Sequence, residues 1–548
     1  MLRLLARALI ALLTLGSTIV ALPKVSRTGK YLYTEDGNRF FIKGIAYQTQ
    51  IADNLADGAA CARDLPFLQK LGVNAIRAYS ASSSLDHDEC MSALSNAGIY
   101  VMQVFAISLA PPSEHTLNGS IDTTLPTWST NILDQYLRTI DAFEKYDNVL
   151  AYNVGNEVVK PSATQAAPFV LAAARDVRAY LNSIGSSALV GYASIDGSST
   201  FVQDIAGFFA CDRSGDTASI DLFGLNNYEW CGNAPNTTFD KLNQEFGDYP
   251  VAAYFSEFGS ENCNPNPRVW TEIPVMFSTP MSNVWSGGLA FSYFPHHDGN
   301  TGHEFGMITV SADNASITTN ADFDNLAEQY GAVTLPATPA KASVPPSTLP
   351  ACPTGWNVSA TLPPTPDDAA CGCLADALSC VFVPPTADYT VLVGELLGIA
   401  CGLAAGAGGS CANISADGAS GTYGRVAMCD PTIRLSYVMS QYYELEHGLS
   451  TACSFSGNAT VNTGPDAGRG GSAGAAASCI ASAAVFTPSA PPVLTPGAGA
   501  SNSKASSGAG SGLGGSSSGS VRSGVHVWAG MSAVVGCVIG GMLWTLGG

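Results

Sequence analysis

Eight apolar runs, each ending in polar or aromatic residues, recur through the first part of this chain and limit what it can fold into. They are Phe40–Tyr47, Val73–Tyr79, Tyr100–Ser108, Val149–Glu157, Ala188–Ser194, Asp221–Tyr228, Val251–Gly259 and Gly287–Phe294. The stretches between them are long enough to hold a helix. Strands buried on both faces read as continuous apolar runs, and strands alternating with helices pair in parallel. Eight such units within about 300 residues match a closed (β/α)8 barrel, an α/β fold. An open doubly wound sheet is the alternative, but no Gly-rich phosphate fingerprint follows the first run.

The rest of the chain divides by texture. Residues 22–330 carry the eight runs, 331–350 form a Pro/Ala/Ser-rich linker, 351–480 are dense in cysteine, and 481–523 are Pro, Ser and Gly of low complexity. Of the 548 residues 46% are apolar, enough for a sizeable core, and only 12% are charged. Lys and Arg number 24 against 44 Asp and Glu, a net charge of −20. Nucleic acid and anionic headgroups both need compensating basic charge, so neither is expected as a partner.

Both ends carry targeting signals. Residues 1–21 place Arg3 and Arg7 before the apolar run Ala8–Leu15 and the small residues Gly16–Ala21. This is a secretory signal peptide, cleaved near Ala21, and its apolar run is too short for a membrane span. Toward the other end, Ser501–Ser523 is almost entirely Ser, Gly, Ala and Asn, and the apolar tail Val525–Leu546 has no basic cluster behind it. Small residues, a spacer and a terminal apolar tail predict a glycosylphosphatidylinositol (GPI) anchor that replaces residues 524–548, with Ser516, Ser518, Gly519 and Ser520 among the candidate attachment residues. A single-pass anchor is the other reading of that tail. Loss of the tail removes Cys537 and leaves fourteen of the 15 cysteines, an even number suited to full oxidation outside the cell. Sequons at Asn118, Asn236, Asn314, Asn357, Asn413 and Asn458 fit a glycosylated surface protein.

In a barrel of this kind reactive groups sit at the C-terminal ends of the strands. The fourth run ends Gly155-Asn156-Glu157-Val158 and the seventh ends Phe255-Ser256-Glu257-Phe258-Gly259, so two glutamates a hundred residues apart meet at one mouth. Paired carboxyls at such a place suit glycosidic bond cleavage: one protonates the departing oxygen, and the other attacks the sugar carbon if the two stand about 5 Å apart. The acid needs an apolar, desolvated setting, and the nucleophile needs hydrogen-bond donors. Asn156 is placed for the sugar 2-hydroxyl. Tyr228 and Tyr293, with Arg77 and Tyr79 from the second run, are placed to orient Glu257 or the sugar. His296, His297 and His303 cluster after the eighth run without metal-ligand spacing and are assigned to a loop. No metal, nucleotide or redox cofactor is implied, and neither a P-loop nor a Ser-His-Asp elbow is present.

These residues resemble the fungal cell-wall β-1,3-glucanosyltransferases of glycoside hydrolase family 72. The resemblance spans roughly residues 25–330. It rests on Gly44-Ile45-Ala46-Tyr47-Gln48, His87-Asp88-Glu89-Cys90-Met91-Ser92-Ala93-Leu94, Gly155-Asn156-Glu157-Val158, Asn227-Tyr228-Glu229-Trp230-Cys231-Gly232, Phe255-Ser256-Glu257-Phe258-Gly259 and Val284-Trp285-Ser286-Gly287-Gly288-Leu289. It implies a (β/α)8 barrel with Glu157 as acid/base and Glu257 as nucleophile. It further implies that internal β-1,3-glucan bonds are cut and the new reducing end is passed to the non-reducing end of another glucan chain. Donor and acceptor glucans are then the partners, and Tyr79, Asn156, Tyr228 and Tyr293 line the sugar subsites. The expected place is the cell surface, on the outer leaflet of the plasma membrane or in the wall. The resemblance also implies the disulfides Cys61–Cys90, Cys231–Cys263 and Cys211–Cys352. One departure stands out. After the third strand such proteins usually read Asp-Leu-Ser-Glu-Pro, where this chain has Val104-Phe105-Ala106-Ile107-Ser108. An acidic residue near the groove is thereby missing.

The cysteine-dense segment resembles the X8 module, carbohydrate-binding family 43, a small disulfide-rich and mainly helical unit. The matching residues are Cys371-Gly372-Cys373, Leu378-Ser379-Cys380, Gly421-Thr422-Tyr423-Gly424, Cys429 and Leu435-Ser436-Tyr437-Val438. Its eight cysteines permit roughly a hundred pairings. The resemblance implies Cys371–Cys429, Cys373–Cys479, Cys380–Cys453 and Cys401–Cys411, with Tyr423 and Tyr442 as candidate platforms for glucan. A module that only braces the barrel is the competing reading. For the whole chain, a hydrolytic endo-β-1,3-glucanase would use the same two glutamates, and a non-catalytic wall protein would need neither.

Overall fold

The computed structural model describes residues 21–49, 53–105, 121–213, 218–261, 266–296, 304–384, 389–480 and 486–489. The signal peptide apart from Ala21, the C-terminal tail, Asn118, Cys263, His297, His303 and Ala106–Ser108 lie outside the described residues.

The eight expected strands form one closed parallel barrel: β4 (Ile42–Ala46), β5 (Ala75–Ala78), β6 (Tyr100–Val104), β7 (Val149–Asn156), β8 (Leu189–Ile195), β9 (Leu222–Asn226), β10 (Ala252–Phe258) and β11 (Trp285–Ala290). Each pairs with its neighbours in sequence, and β11 closes the ring on β4 with Gly287 opposite Ile42 and Leu289 opposite Gly44. The closure is tight. A Cβ on Gly287, whose φ is +87°, would stand 2.2 Å from the Ile42 carbonyl oxygen, so only glycine lets the two backbones meet.

A short antiparallel sheet, β1 (Val25–Thr28), β2 (Tyr31–Thr34) and β3 (Arg39–Phe40), precedes the barrel. Val25, Leu32 and Phe40 pack into one buried cluster with Ile42, Leu150, Leu222 and Leu289. That cluster seals the N-terminal end of the cylinder and leaves the C-terminal rim for chemistry.

The segment 331–350, which reads as a linker, runs along the barrel as a strap. Its carbonyls accept hydrogen bonds from Tyr33 Oη (to Pro339, 2.8 Å) and Arg39 Nη1 (to Thr338, 2.9 Å), while Ser347 Oγ donates to Pro250 (2.6 Å). Pro336, Pro339, Pro345, Pro346 and Pro350 lack an N–H, so the strap has fewer donors than carbonyls, and the barrel surface meets the carbonyls left over.

The module follows: α9 (Asp368–Ala377), α10 (Thr390–Gly406), α11 (Pro431–Leu445) and α12 (Gly471–Cys479) around their own apolar core. Disulfides join Cys371–Cys429, Cys373–Cys479, Cys380–Cys453 and Cys401–Cys411 within it, and Cys61–Cys90 and Cys211–Cys352 tie the barrel and the strap's end. Cys231 is also disulfide-bonded. Asn236, Asn314 and Asn357 are exposed, whereas the half-buried amides of Asn413 and Asn458 donate to Tyr437 Oη and the Phe455 carbonyl. Among the described residues no helix is long and apolar enough to cross a membrane.

The module packs on barrel helices α3 (Thr130–Phe143) and α4 (Ala167–Ser183). The Asp176 carboxylate, buried to 1% exposure, accepts from Trp128 Nε1, from Arg175 and from Thr365 Oγ1 of the module side. Tyr423, a candidate sugar platform, turns its ring edge to Phe169 of the barrel, and its hydroxyl donates to the Thr361 carbonyl. It thus belongs to the barrel–module contact. Tyr442 packs edge-on against Phe455.

Asp134 of α3 and Asp368 of α9 meet across the same contact, with Arg138 and Asp430 also acting on Asp134. Burial, followed by a hydrogen bond to Asp368, pushes the Asp134 carboxyl up to about 7. Its folded value lies above the unfolded one of about 3.9, so the folded protein holds the extra proton and loses stability as pH rises between those values. Asp134→Asn keeps a donor and removes the titration. The variant should melt above the parent at pH 7.5 and at about the same temperature near pH 4, read by circular dichroism.

Candidate active site

The two glutamates reach the rim by different backbone devices. Glu157 follows the last residue of β7, after an irregularity in register against β8 between Asn153 and Asn156. Its φ is +54°, in the left-handed region that non-glycine residues rarely occupy, and its N–H donates to the Ala193 carbonyl (2.9 Å). Such backbone costs roughly 1 kcal/mol or more and is held where the surroundings over-determine it. Glu257 lies inside β10. Against β9, Phe255 pairs with Leu225 and Glu257 with Asn226, so Ser256 is an extra residue, a β-bulge.

Glu257 is 7% exposed, and both its oxygens are hydrogen-bonded. Arg77 Nη1 (2.9 Å) and Tyr79 Oη (2.7 Å) donate to Oε1, and Tyr228 Oη donates to Oε2 (2.9 Å). Arg77, wholly buried on β5, also donates through Nη1 to the Ser256 carbonyl (2.9 Å) and through Nη2 to Asn156 Oδ1 (2.8 Å). A buried guanidinium is tolerated only with a counter-charge and satisfied donors, and Glu257 supplies the charge. Burial raises the phenols of Tyr79 and Tyr228 well above the ordinary tyrosine value, and Glu257 adds to it, so both stay protonated donors.

Glu157 has a different setting. Its Oε1 accepts one hydrogen bond, from Asn226 Nδ2 (2.7 Å). Burial raises the pKa of its carboxyl above the usual carboxylate value, the charge of Glu257 raises it further, and the Asn226 hydrogen bond opposes both. The pair of carboxyls therefore occupies unlike environments, one gripped by three donors and one pushed toward its neutral acid, as an acid and a nucleophile require.

Between them lies a cleft of about 500 Å³ lined by Gln48, Thr49, Tyr79, Ser80, Asn156, Phe291, Ser292, His296 and the two glutamates, together with Ala46. Ligand sites commonly run from about 300 to 1,000 Å³. Among the described residues no cluster of His, Cys, Asp and Glu could hold a metal ion.

Arg77, Tyr79, Asn156, Glu157, Tyr228 and Glu257 thus converge. Tyr293 does not. It is fully buried, packed against Tyr47 and Phe294, and does not line the cleft. β11 ends at Ala290, so strand alternation no longer governs residue 293, and Phe291 takes the cleft-facing place that Tyr293 was expected to fill. Phe291 stands amid Tyr79, Tyr228 and His296 at ring distances of 6.4, 6.4 and 5.0 Å. Gln48 is a second residue not singled out for the cleft; its Oε1 accepts the N–H groups of Tyr79 and Ser80. Asn226 is the third. It is the last residue of β9, and its place beside Glu157 shows only in the folded chain.

A (β/α)8 barrel with two glutamates at the C-terminal rim of its fourth and seventh strands has the layout of a glycoside-cleaving enzyme. The chain belongs to the glucanosyltransferase family, glycoside hydrolase family 72, matched over residues 19–334, and carries an X8 domain over residues 378–460. It is 36% identical over 455 residues to 1,3-beta-glucanosyltransferase gas1 of Schizosaccharomyces pombe, covering 79% of this chain and 78% of that protein. To 1,3-beta-glucanosyltransferase GAS2 of Saccharomyces cerevisiae it is 34% identical over 460 residues, 78% of each. A solved structure of a mutant of that yeast Gas2p, in complex with laminaritetraose and laminaripentaose, superposes with a TM-score of 0.70 at 33% identity, covering 81% of this chain and 95% of the other.

The Tyr228 donor can be removed without a void. Tyr228→Phe should lower kcat/KM on β-1,3-glucan oligosaccharides by about 10- to 100-fold, the scale of losing one donor to a charged group at about 1.5–3 kcal/mol. The melting temperature should change little, since the ring contacts persist.

Proposed function

We propose that the protein is a retaining 1,3-β-glucanosyltransferase that cuts internal β-1,3-glucan bonds and joins the new reducing end to the non-reducing end of a second glucan. The observation that carries this reading is the unlike pair: Glu257 held on both oxygens by Arg77, Tyr79 and Tyr228, and Glu157 with a raised pKa facing the same cleft.

In the first step a Glu257 oxygen attacks the anomeric carbon, forming a glycosyl ester as the C1–O bond breaks. The Glu157 proton passes to the departing 3-oxygen. In the second step Glu157, now a carboxylate, takes the proton of an acceptor 3-hydroxyl while that oxygen bonds to C1 and frees Glu257. Water competes for the same ester. An acceptor sugar seated on the aromatic wall of the cleft outcompetes it through effective molarity. Asn156 has its Oδ1 tied to Arg77 and Asn226, so its amide N–H groups are left for the sugar 2-hydroxyl. Residues 1–21 would send the chain through the secretory route, and replacement of residues 524–548 by a lipid would hold it at the outer leaflet, where wall glucan is within reach.

Reduced laminari-oligosaccharides of defined length test the reading. The parent should yield products both shorter and longer than the donor, and Glu257→Gln neither, at a rate lower by at least about 10³-fold. Shortened products alone would make the protein a hydrolase, and activity surviving in Glu257→Gln would remove Glu257 as nucleophile.

A further inference from the structure

The bulge residue Ser256 does more than offset the register of β10. Its carbonyl accepts from Arg77, which grips Glu257, and its hydroxyl donates to Asn226 Oδ1 (2.7 Å). The Asn226 amide points its N–H groups at the rim, one to Glu157 Oε1 (2.7 Å) and one to Asn156 Oδ1 (3.2 Å), and this orientation is fixed because Arg77, which can only donate, holds the same Asn156 oxygen. Room for this is built in. A Cβ on Gly224 would come within 2.6 Å of Ser256 Oγ and Cβ. Asn226 and Ser256 are 2% and 0% exposed, so neither trades its hydrogen bonds with water.

We infer that Ser256 and Asn226 are a positioning pair that selects which oxygen of Glu157 carries the transferable proton. This rests on the reading of Glu157 as the general acid. Oε1 accepts from an amide that the Arg77-held Asn156 oxygen keeps from flipping and whose Oδ1 the serine satisfies, so a proton on Oε1 would meet a donor head-on. The proton therefore resides on Oε2, the oxygen left for the glycosidic bond. The same N–H favours the ionised form, which the second step needs when Glu157 takes the acceptor's proton. Satisfying buried polar groups would alone explain an Asn–Ser contact. It would not explain why the amide's donors converge on the acid and on its neighbour Asn156.

The test uses two substrates of unlike leaving group, laminari-oligosaccharide and a 2,4-dinitrophenyl β-laminaribioside whose phenolate departs without protonation. Asn226→Ala should lower kcat/KM on the oligosaccharide by about 10- to 100-fold, a part of what general acid catalysis provides, and on the aryl glycoside by less than about 3-fold. The basic limb of its pH profile should move to higher pH, because the lost hydrogen bond had favoured ionised Glu157. Ser256→Ala, which leaves the bulge and its carbonyl in place, should shift both readouts in the same direction by less. Equal losses on the two substrates with an unmoved basic limb would overturn the inference and leave the acid assignment intact. Glu157→Ala decides that assignment separately: a loss without leaving-group dependence would overturn the reading on which the pair depends.

Discussion

The site is organised around one charge that cannot leave. Arg77 is wholly buried, protonated and fixed on a barrel strand, and a guanidinium in such a place demands an anion and a full set of acceptors. Glu257 is the anion. The Ser256 carbonyl, Tyr79 Oη and Asn156 Oδ1 complete the set. Three separate strand ends are thereby locked to one another, and the positions of Glu257 and of Asn156 beside Glu157 follow from a single electrostatic requirement.

That requirement explains which parts of the fold and site were legible in the sequence. Buried parallel strands must be apolar throughout, so all eight runs stand out, and Glu157 and Glu257 are conspicuous as charges closing such runs. Arg77 is conspicuous for the same reason. Residues whose contribution depends on backbone irregularity are not. The bulge at Ser256 and the left-handed φ of Glu157 leave no mark on composition or period, so the pairing of Asn226 with Glu157 is visible only in three dimensions. Tyr293 shows the converse. It closes the eighth run as written, but the strand stops three residues earlier, and the tyrosine is drawn into the core beside Tyr47 while Phe291 faces the cleft.

The module was legible as a cysteine pattern but not as a neighbour. Nothing in residues 331–350 announces that this proline-rich stretch is a strap, since its hydrogen bonds to the barrel are made by backbone carbonyls, which every residue has, and by the ordinary side chains of Lys341 and Ser347. The contact it leads to is more polar than a core: Asp176 under Trp128, Arg175 and Thr365, and Asp134 facing Asp368. It also claims the ring of Tyr423, which the sequence would otherwise assign to sugar binding.

The strap has a consequence for how the chain comes into being. Cys211 lies between the fifth and sixth barrel strands, and its partner Cys352 is 141 residues further on. During synthesis the barrel's last three strands must therefore emerge before this crosslink has a native partner. A nascent barrel waits with an unpaired thiol, open to exchange with folding oxidoreductases, until the downstream segment arrives. The bond can form only in a chain that has been made through the end of the strap.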